Sequence, residues 1–383
     1  MRSVLIRVIA VVLLLVFTGL LYHRYYRQNL LTANFVINPP HHQIPINAKP
    51  VFESDIIPQP RFLPAAHSSS FTMLENGDLL AFWFAGTKEG NPDVKIWHSL
   101  YHNESWSMAT SMLDPQMIAK ANHRYVVKVG NPVVYRALNG TLHLFVVSVS
   151  IGGWSGSTLN HLVSFNDGKT WSEPERVVIS PFFNISTLVR TNAVTLSDGS
   201  FYLPVYHEFI RKYPELLLFN AQGRFVEQIR ITSKNRMLQP SVVPISETTA
   251  WAFFRNSEQI SGERKLFAAQ TVNSGRSWQK PVATNLTNPD SSIEAINLGN
   301  GQLLMVYNPQ NREQLWLATS KDGLNWQPVY CLENKSGDEF SYPSMHVDGN
   351  FIDILYTNNR KNIKHVRFNR AWLEKEVLIH ARN

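Results

Sequence analysis

His67, Asn131, Arg190 with Asn192, Gln239, Asp290 with Ser291, and Glu339 close to Tyr342 share one place in this sequence: each lies about ten residues ahead of a turn between two apolar runs. If those runs are hairpins around one axis, the side chains converge on a shared opening, and a concave polar mouth is a natural binding site. Arginine is suited there to an anionic ligand, because its guanidinium grips a carboxylate with two parallel hydrogen bonds in a way lysine cannot. His67 and His207 can exchange hydrogen bonds with sugar hydroxyls, and His67 can also serve as a base. The loop "GTKEGNPDVKIW" supplies Glu89 and Asp93. A glycine-flanked segment of this kind can bring a carboxyl to a leaving oxygen as proton donor. No HExxH or comparable ligand cluster and no phosphate loop occurs, so neither a metal nor another cofactor is expected.

The elements that must position these residues are legible in the turns. Asn76-Gly77, Asn139-Gly140, Asp198-Gly199, Asn300-Gly301 and Asp348-Gly349 each separate two alternating apolar runs, and Glu247-Thr248 fills the one long gap. Such dipeptides mark two-residue hairpins. The markers Gly77, Gly140, Gly199, Thr248, Gly301 and Gly349 are spaced by 63, 59, 49, 53 and 48 residues. A second motif follows in three of the units: "SFNDGKTW" ending at Trp171, "TVNSGRSW" ending at Trp278 and "TSKDGLNW" ending at Trp326. Its hydroxyl and amide or acidic side chains can bond local backbone, its glycine permits positive φ, and its tryptophan pins the turn on a core. It is a structural staple between the third and fourth strands of a unit. Four antiparallel strands per unit of about 50 residues, repeated six times, predict an all-β six-bladed β-propeller, whose radial closure hides sheet edges. A β-sandwich with many hairpins is the alternative fold.

The chain has 383 residues, 44% of them hydrophobic, enough for a large core. A single cysteine, Cys331, excludes an internal disulfide. The net charge of +7 favours acidic partners. From Val4 to Tyr22 the only charge is Arg7, and no small-residue cleavage pattern ends the run. Residues 1–27 are therefore expected to be a signal anchor with a transmembrane helix, residues 28–60 a proline-rich linker, and residues 61–383 the propeller. The propeller is expected to be exported, periplasmic or extracytoplasmic, and held at a membrane.

The tryptophan-ended turns resemble the Asp-box, or BNR repeat, of the sialidase (neuraminidase) superfamily. The resemblance extends from Pro60 to about Arg370. The string "HSSSFTMLENGDLLAFWFAGTKEGNPDVKIW", with "RTNAV", "YHE", "NPDSSIEA" and "EFSYP" in order, is similar to a bacterial group of predicted neuraminidases. Sialidases use three arginines for the substrate carboxylate, a tyrosine nucleophile assisted by a glutamate, and an aspartate acid/base. The resemblance puts Arg255 of "FRNS" and Arg312 of "YNPQNREQLWLATSKDG" at the second and third arginines. It puts Tyr342 of "FSYPSMHVDG" at the nucleophile if the following turn is two residues shorter, or Phe340 without that allowance. Asp93 is the closer match to the acid/base.

Two departures stand out. His67 occupies the place of the first arginine, with Arg61 six residues too early. Gln239 of "QPSVVPI" occupies the place of the glutamate, which leaves Glu208 of "VYHEF" or Glu339 as substitute bases. The resemblance implies a sialidase-like exo-glycosidase acting on a terminal anionic sugar, sialic acid or a uronic acid. An acidic saccharide or glycoconjugate and the membrane are then the expected partners, and nucleic acid is not. A non-catalytic carbohydrate-binding propeller is the second reading, and a protein-interaction propeller the third. A carboxylate within hydrogen-bond reach of Tyr342 decides between the first two.

Overall fold

The computed structural model describes residues 2–30, 33–37, 49–180, 184–258, 264–299 and 301–380, with side chains described for 6–21 of the first helix and to 376 of the last. Six antiparallel sheets are arranged as the blades of a propeller. Each begins on an innermost strand: Ala65–Met73, Lys128–Arg136, the split pair Leu188–Val189 and Val194–Thr195, Met237–Pro244, Glu294–Asn297, and Phe340–Asp348. The second strand returns antiparallel after the predicted turn in every blade.

Closure is visible in the packing. Among the described residues six apolar clusters form, one for each seam between neighbouring blades. Leu80 and Phe82 of the first blade pack with Val134 and Leu144 of the second. On the other side, Leu79 and Trp83 of the first blade pack with Leu355 and Ile363 of the sixth. Burial of apolar surface in every seam is the main force holding the ring.

The three tryptophan-ended turns lie between the third and fourth strands of the second, fourth and fifth blades. In each, one hydroxyl near the start of the turn accepts from the glycine N–H, at 3.0 Å for Ser164, 3.1 Å for Thr271 and 3.0 Å for Ser320. Each indole donates to the same glycine's carbonyl, from Trp171, Trp278 and Trp326. The third copy keeps these bonds with one residue fewer. Gly323 must be glycine there: its φ is +77°, and a Cβ would stand 2.6 Å from Trp251 Nε1.

The expected linker over 28–60 is corrected at both ends. Phe52–Ile56 is the outermost strand of the sixth blade, paired from Phe52 with Phe368 to Ile56 with Lys364. The propeller therefore begins at 52, not 61. A ring made from an open chain closes by pairing its two ends, and that pairing leaves no local pattern to read. Upstream, residues 33–37 form a strap across the hairpin end of the third and fourth blades. Phe35 N donates to Glu247 O at 2.7 Å, Val36 N to Thr195 O at 3.0 Å, and Ser197 N to Asn34 O at 2.8 Å. Phe35 is 2% exposed, seated between the two blades against Tyr202. The stretch 38–48, with its prolines, lies outside the described residues.

The first helix runs Arg2–Leu30. A transmembrane span is not supported: among the described residues no helix is long and apolar enough to cross a membrane. Two helices in the body carried no sequence expectation. Pro115–Ala121 is N-capped by Asp114, and Arg370–His380 buries Trp372 and Leu373 against the fifth and sixth blades.

Candidate active site

The innermost strands break at the same height. The ladder register shifts between His67 and Ser70, Gly130 and Pro132, Leu238 and Ser241, and Ser341 and Ser344. At these breaks Ser68, Asn131, Gln239 and Tyr342 take φ of 58°, 34°, 47° and 54°, and Asp290 ahead of the fifth blade takes 61°. In the third blade the strand is interrupted outright, from Arg190 to Ala193. Bulges re-aim side chains, and strained backbone concentrates where function needs a fixed geometry. Proline directly follows the bulge residue at Asn131-Pro132, Gln239-Pro240 and Tyr342-Pro343. That was a legible signal, because proline inside a strand marks a bulge. It also settles the register of the sixth blade: Tyr342 shares the bulge position of Gln239, whereas Phe340 is buried in the apolar cluster of the fifth and sixth blades.

Tyr342 is the centre of the mouth. Its hydroxyl accepts from Arg255 Nη1 at 3.1 Å. The Arg312 and Arg190 guanidinium groups lie 5.7 Å and 5.4 Å from its ring centre, and the His67 ring 4.3 Å away. Burial alone would raise the phenol, but Arg255 and then Arg312 outweigh it and hold Tyr342 below its ordinary value, with Gln239 adding a hydrogen bond. The base expected beside it is absent: among the described residues its hydroxyl bonds to Arg255 and Gln239, not to a carboxylate.

Each mouth arginine already has a protein partner. Arg255 Nε donates to Asp290 Oδ1 at 2.7 Å and its Nη1 to Gln239 Oε1 at 3.3 Å. Arg312 donates to Glu339 Oε1 at 3.0 Å and to the Asp290 carbonyl at 3.1 Å. A further arginine, which sequence reading missed, completes the set. Arg360 stands on the turn after the second strand of the sixth blade and donates to Glu339 Oε2 at 2.8 Å and to Glu89. Glu339 thus holds Arg312 and Arg360 side by side rather than serving Tyr342 as a base.

The other predicted residues divide. Glu89 reaches the mouth and, with His67, Phe84, Lys128, Trp154 and Arg360, lines a pocket of about 330 Å³. Asp93 instead closes its own loop, accepting from Thr87 N at 2.7 Å and Thr87 Oγ1 at 2.8 Å. His67 is 3% exposed, and neither ring nitrogen has a partner among the described residues. Burial, then Arg360, Arg312, Arg190 and Arg255, hold it well below its ordinary value, so it is neutral at physiological pH. Asn131 and Gln239 both donate to the Tyr206 hydroxyl, at 3.4 Å and 3.2 Å. Burial and then Glu208 push that phenol up. His207 stacks on Tyr213 at 4.7 Å. Arg190 is 2% exposed and donates to the carbonyls of Ser69 and Pro343, so it ties the first and sixth blades together instead of presenting a free guanidinium.

Farther along the axis Glu294 lines a second cavity, of about 220 Å³, with Phe71, Asn192 and Met345. Burial raises its carboxyl to about 8 from an ordinary 4.5, against the opposing pull of Arg190 and of hydrogen bonds from Ser241 and the Asn192 backbone. Between those two values the folded chain keeps a proton that the unfolded chain gives up, so this group's contribution is present at low pH and is lost as pH rises to about 8. Glu294→Gln should melt like the parent near about pH 4 and above it at about pH 9, measured by thermal unfolding at both. Equal melting temperatures at the higher pH would show that Glu294 carries no such proton.

A six-bladed propeller whose axial mouth gathers a tyrosine and several arginines is a sialidase-like propeller. The chain belongs to the family described as the BNR repeat-like domain, which it matches over residues 77–354. Among solved structures, a Hadza microbial sialidase is 17% identical, with a TM-score of 0.66 over 80% of this chain and 66% of the other. A Dyadobacter fermentans protein of unknown function is 13% identical, with a TM-score of 0.65 over 83% of this chain and 98% of the other. Trypanosoma rangeli sialidase is 14% identical, with a TM-score of 0.62 over 88% and 62%. The chain thus spans just under two thirds of the two sialidases. At these identities the likeness is one of fold. No curated protein sequence matches the chain significantly.

Proposed function

We propose that the mouth binds the carboxylate of a terminal anionic sugar, sialic acid or a uronic acid, and that the chain is an exo-glycosidase with Tyr342 as nucleophile and Glu89 as proton donor. The carrying observation is the Tyr342 hydroxyl 3.1 Å from Arg255, its phenol held down by two guanidinium groups. A phenolate stabilised in this way needs less help from a neighbouring carboxylate, so Gln239 does not end the case for catalysis. Glu89 is preferred to Asp93 because it lines the pocket, paired there with Arg360, whereas Asp93 accepts two hydrogen bonds from Thr87 and does not line it. The second reading, a carbohydrate-binding propeller without catalysis, draws support from the same missing carboxylate.

A screen against fluorogenic sialosides and uronides separates the two. Release of the fluorophore supports the enzyme, and carboxylate-dependent binding without release supports the binder. Glu89→Gln should slow natural glycosides by roughly 10²- to 10⁴-fold and aglycones with good leaving groups far less. Equal loss on both substrate types would remove Glu89 from proton donation.

The same reading places the propeller outside the cytoplasm, attached to a membrane through the first helix. The exposed apolar side chains from Ile6 to Leu21 support it. Fractionation of cells expressing the full chain tests it: recovery in the soluble fraction would refute attachment.

A further inference from the structure

Where a bound sugar carries its carboxylate decides which atom Tyr342 can reach. The Tyr342 hydroxyl is 3.1 Å from Arg255 Nη1, so a carboxylate held by Arg255 brings the carbon that bears it next to the phenol. In a ketose acid such as sialic acid that carbon is anomeric, has no hydrogen, and is open only to attack. In a hexuronic acid it is C5, separated from the anomeric carbon by the ring oxygen. C5 carries a hydrogen made acidic by the carboxylate.

We propose that on a uronic acid substituted at O4 this mouth catalyses β-elimination in place of hydrolysis. The Tyr342 phenolate takes the C5 proton, and the electron pair of that C–H bond becomes the C4=C5 double bond. The C4–O bond breaks, and the departing oxygen takes a proton from Glu89, whose acid form requires release of its bond from Arg360. No water, oxidant or reductant is consumed. Tyr342 ends protonated and Glu89 ionised, and exchange with solvent restores both. The proposal rests on the carboxylate-binding reading above.

Three observations favour it. The intermediate after proton removal carries its charge on the carboxylate oxygens, where Arg255 and Arg312 already converge around Tyr342. The group beside the phenol is the amide of Gln239, which cannot take a proton but can donate hydrogen bonds. His67, buried with both ring nitrogens unpartnered, opens onto the pocket that also holds Glu89, and a neutral imidazole there suits a sugar hydroxyl.

The full chain is incubated with an oligosaccharide containing O4-linked glucuronic acid and, separately, with sialyllactose. The expected products of the uronide absorb in the ultraviolet as conjugated enoates and are lighter by one water than hydrolysis products. Deuterium at C5 should slow turnover by a primary isotope effect of about 2- to 5-fold, a readout that needs no variant. Saturated uronic acid as product would overturn the proposal, as would sialyllactose cleavage with no turnover of the uronide. Turnover of neither sugar overturns it also. Carboxylate-dependent binding would then leave the carbohydrate-binding reading standing, and absence of binding would remove that too.

Discussion

Tyr342→Phe is expected to lower kcat/KM by at least roughly 10³-fold while the affinity for the sugar stays within about threefold. The substitution removes one oxygen and leaves the ring packed between His67 and the Arg190 and Arg312 guanidinium groups. Arg255 keeps Asp290 and Gln239 as acceptors, so no buried charge is stranded. Paired kinetics and calorimetry check the split. Turnover within tenfold of the parent would mean that the phenol is not a reacting group. A pH profile adds a second view. The reactive form is the phenolate, so activity should climb with pH through a value below that of a free phenol, because Arg255 and Arg312 overcome the effect of burial.

Arg255→Ala is expected to weaken binding of the acidic sugar by roughly 10²- to 10³-fold and that of its methyl ester only a few-fold. Arg255→Lys should rescue little, since an ammonium cannot reproduce the paired donors. The same change withdraws the first of the two cations that hold the phenol down, so the rising limb of the pH profile should move to higher pH. A purely structural role for Arg255 would lower stability and leave both ligand selectivity and that limb in place. Because Asp290 loses its partner, Arg255→Ala with Asp290→Asn is the informative companion.

The blades were legible because their signals are local. A hairpin dipeptide or a tryptophan-ended turn carries its own backbone chemistry, and even the shortened turn at Trp326 declared itself. Closure was not legible: Phe52 and Phe368 pair across the whole ring, and no window of sequence contains both. The site falls between these cases. Arg255 and Arg312 could be placed through resemblance, and Tyr342 through the bulge it shares with Gln239. Arg360 could not. It sits in "TNNRKN", which reads as an ordinary exposed turn until the ring brings it to Glu89 and Glu339. Asp93 has the expected type and place, and what its sequence did not show is that its carboxylate bonds to Thr87 of its own loop.

The strap at Phe35 has a consequence for how the protein meets its surroundings. It is fastened to the turns at the far ends of the innermost strands, and the bulged ends open the other way. Residues 33–37 therefore grip the molecule by its back. A ligand that reaches Tyr342 from the bulged side therefore does not have to pass residues 33–37.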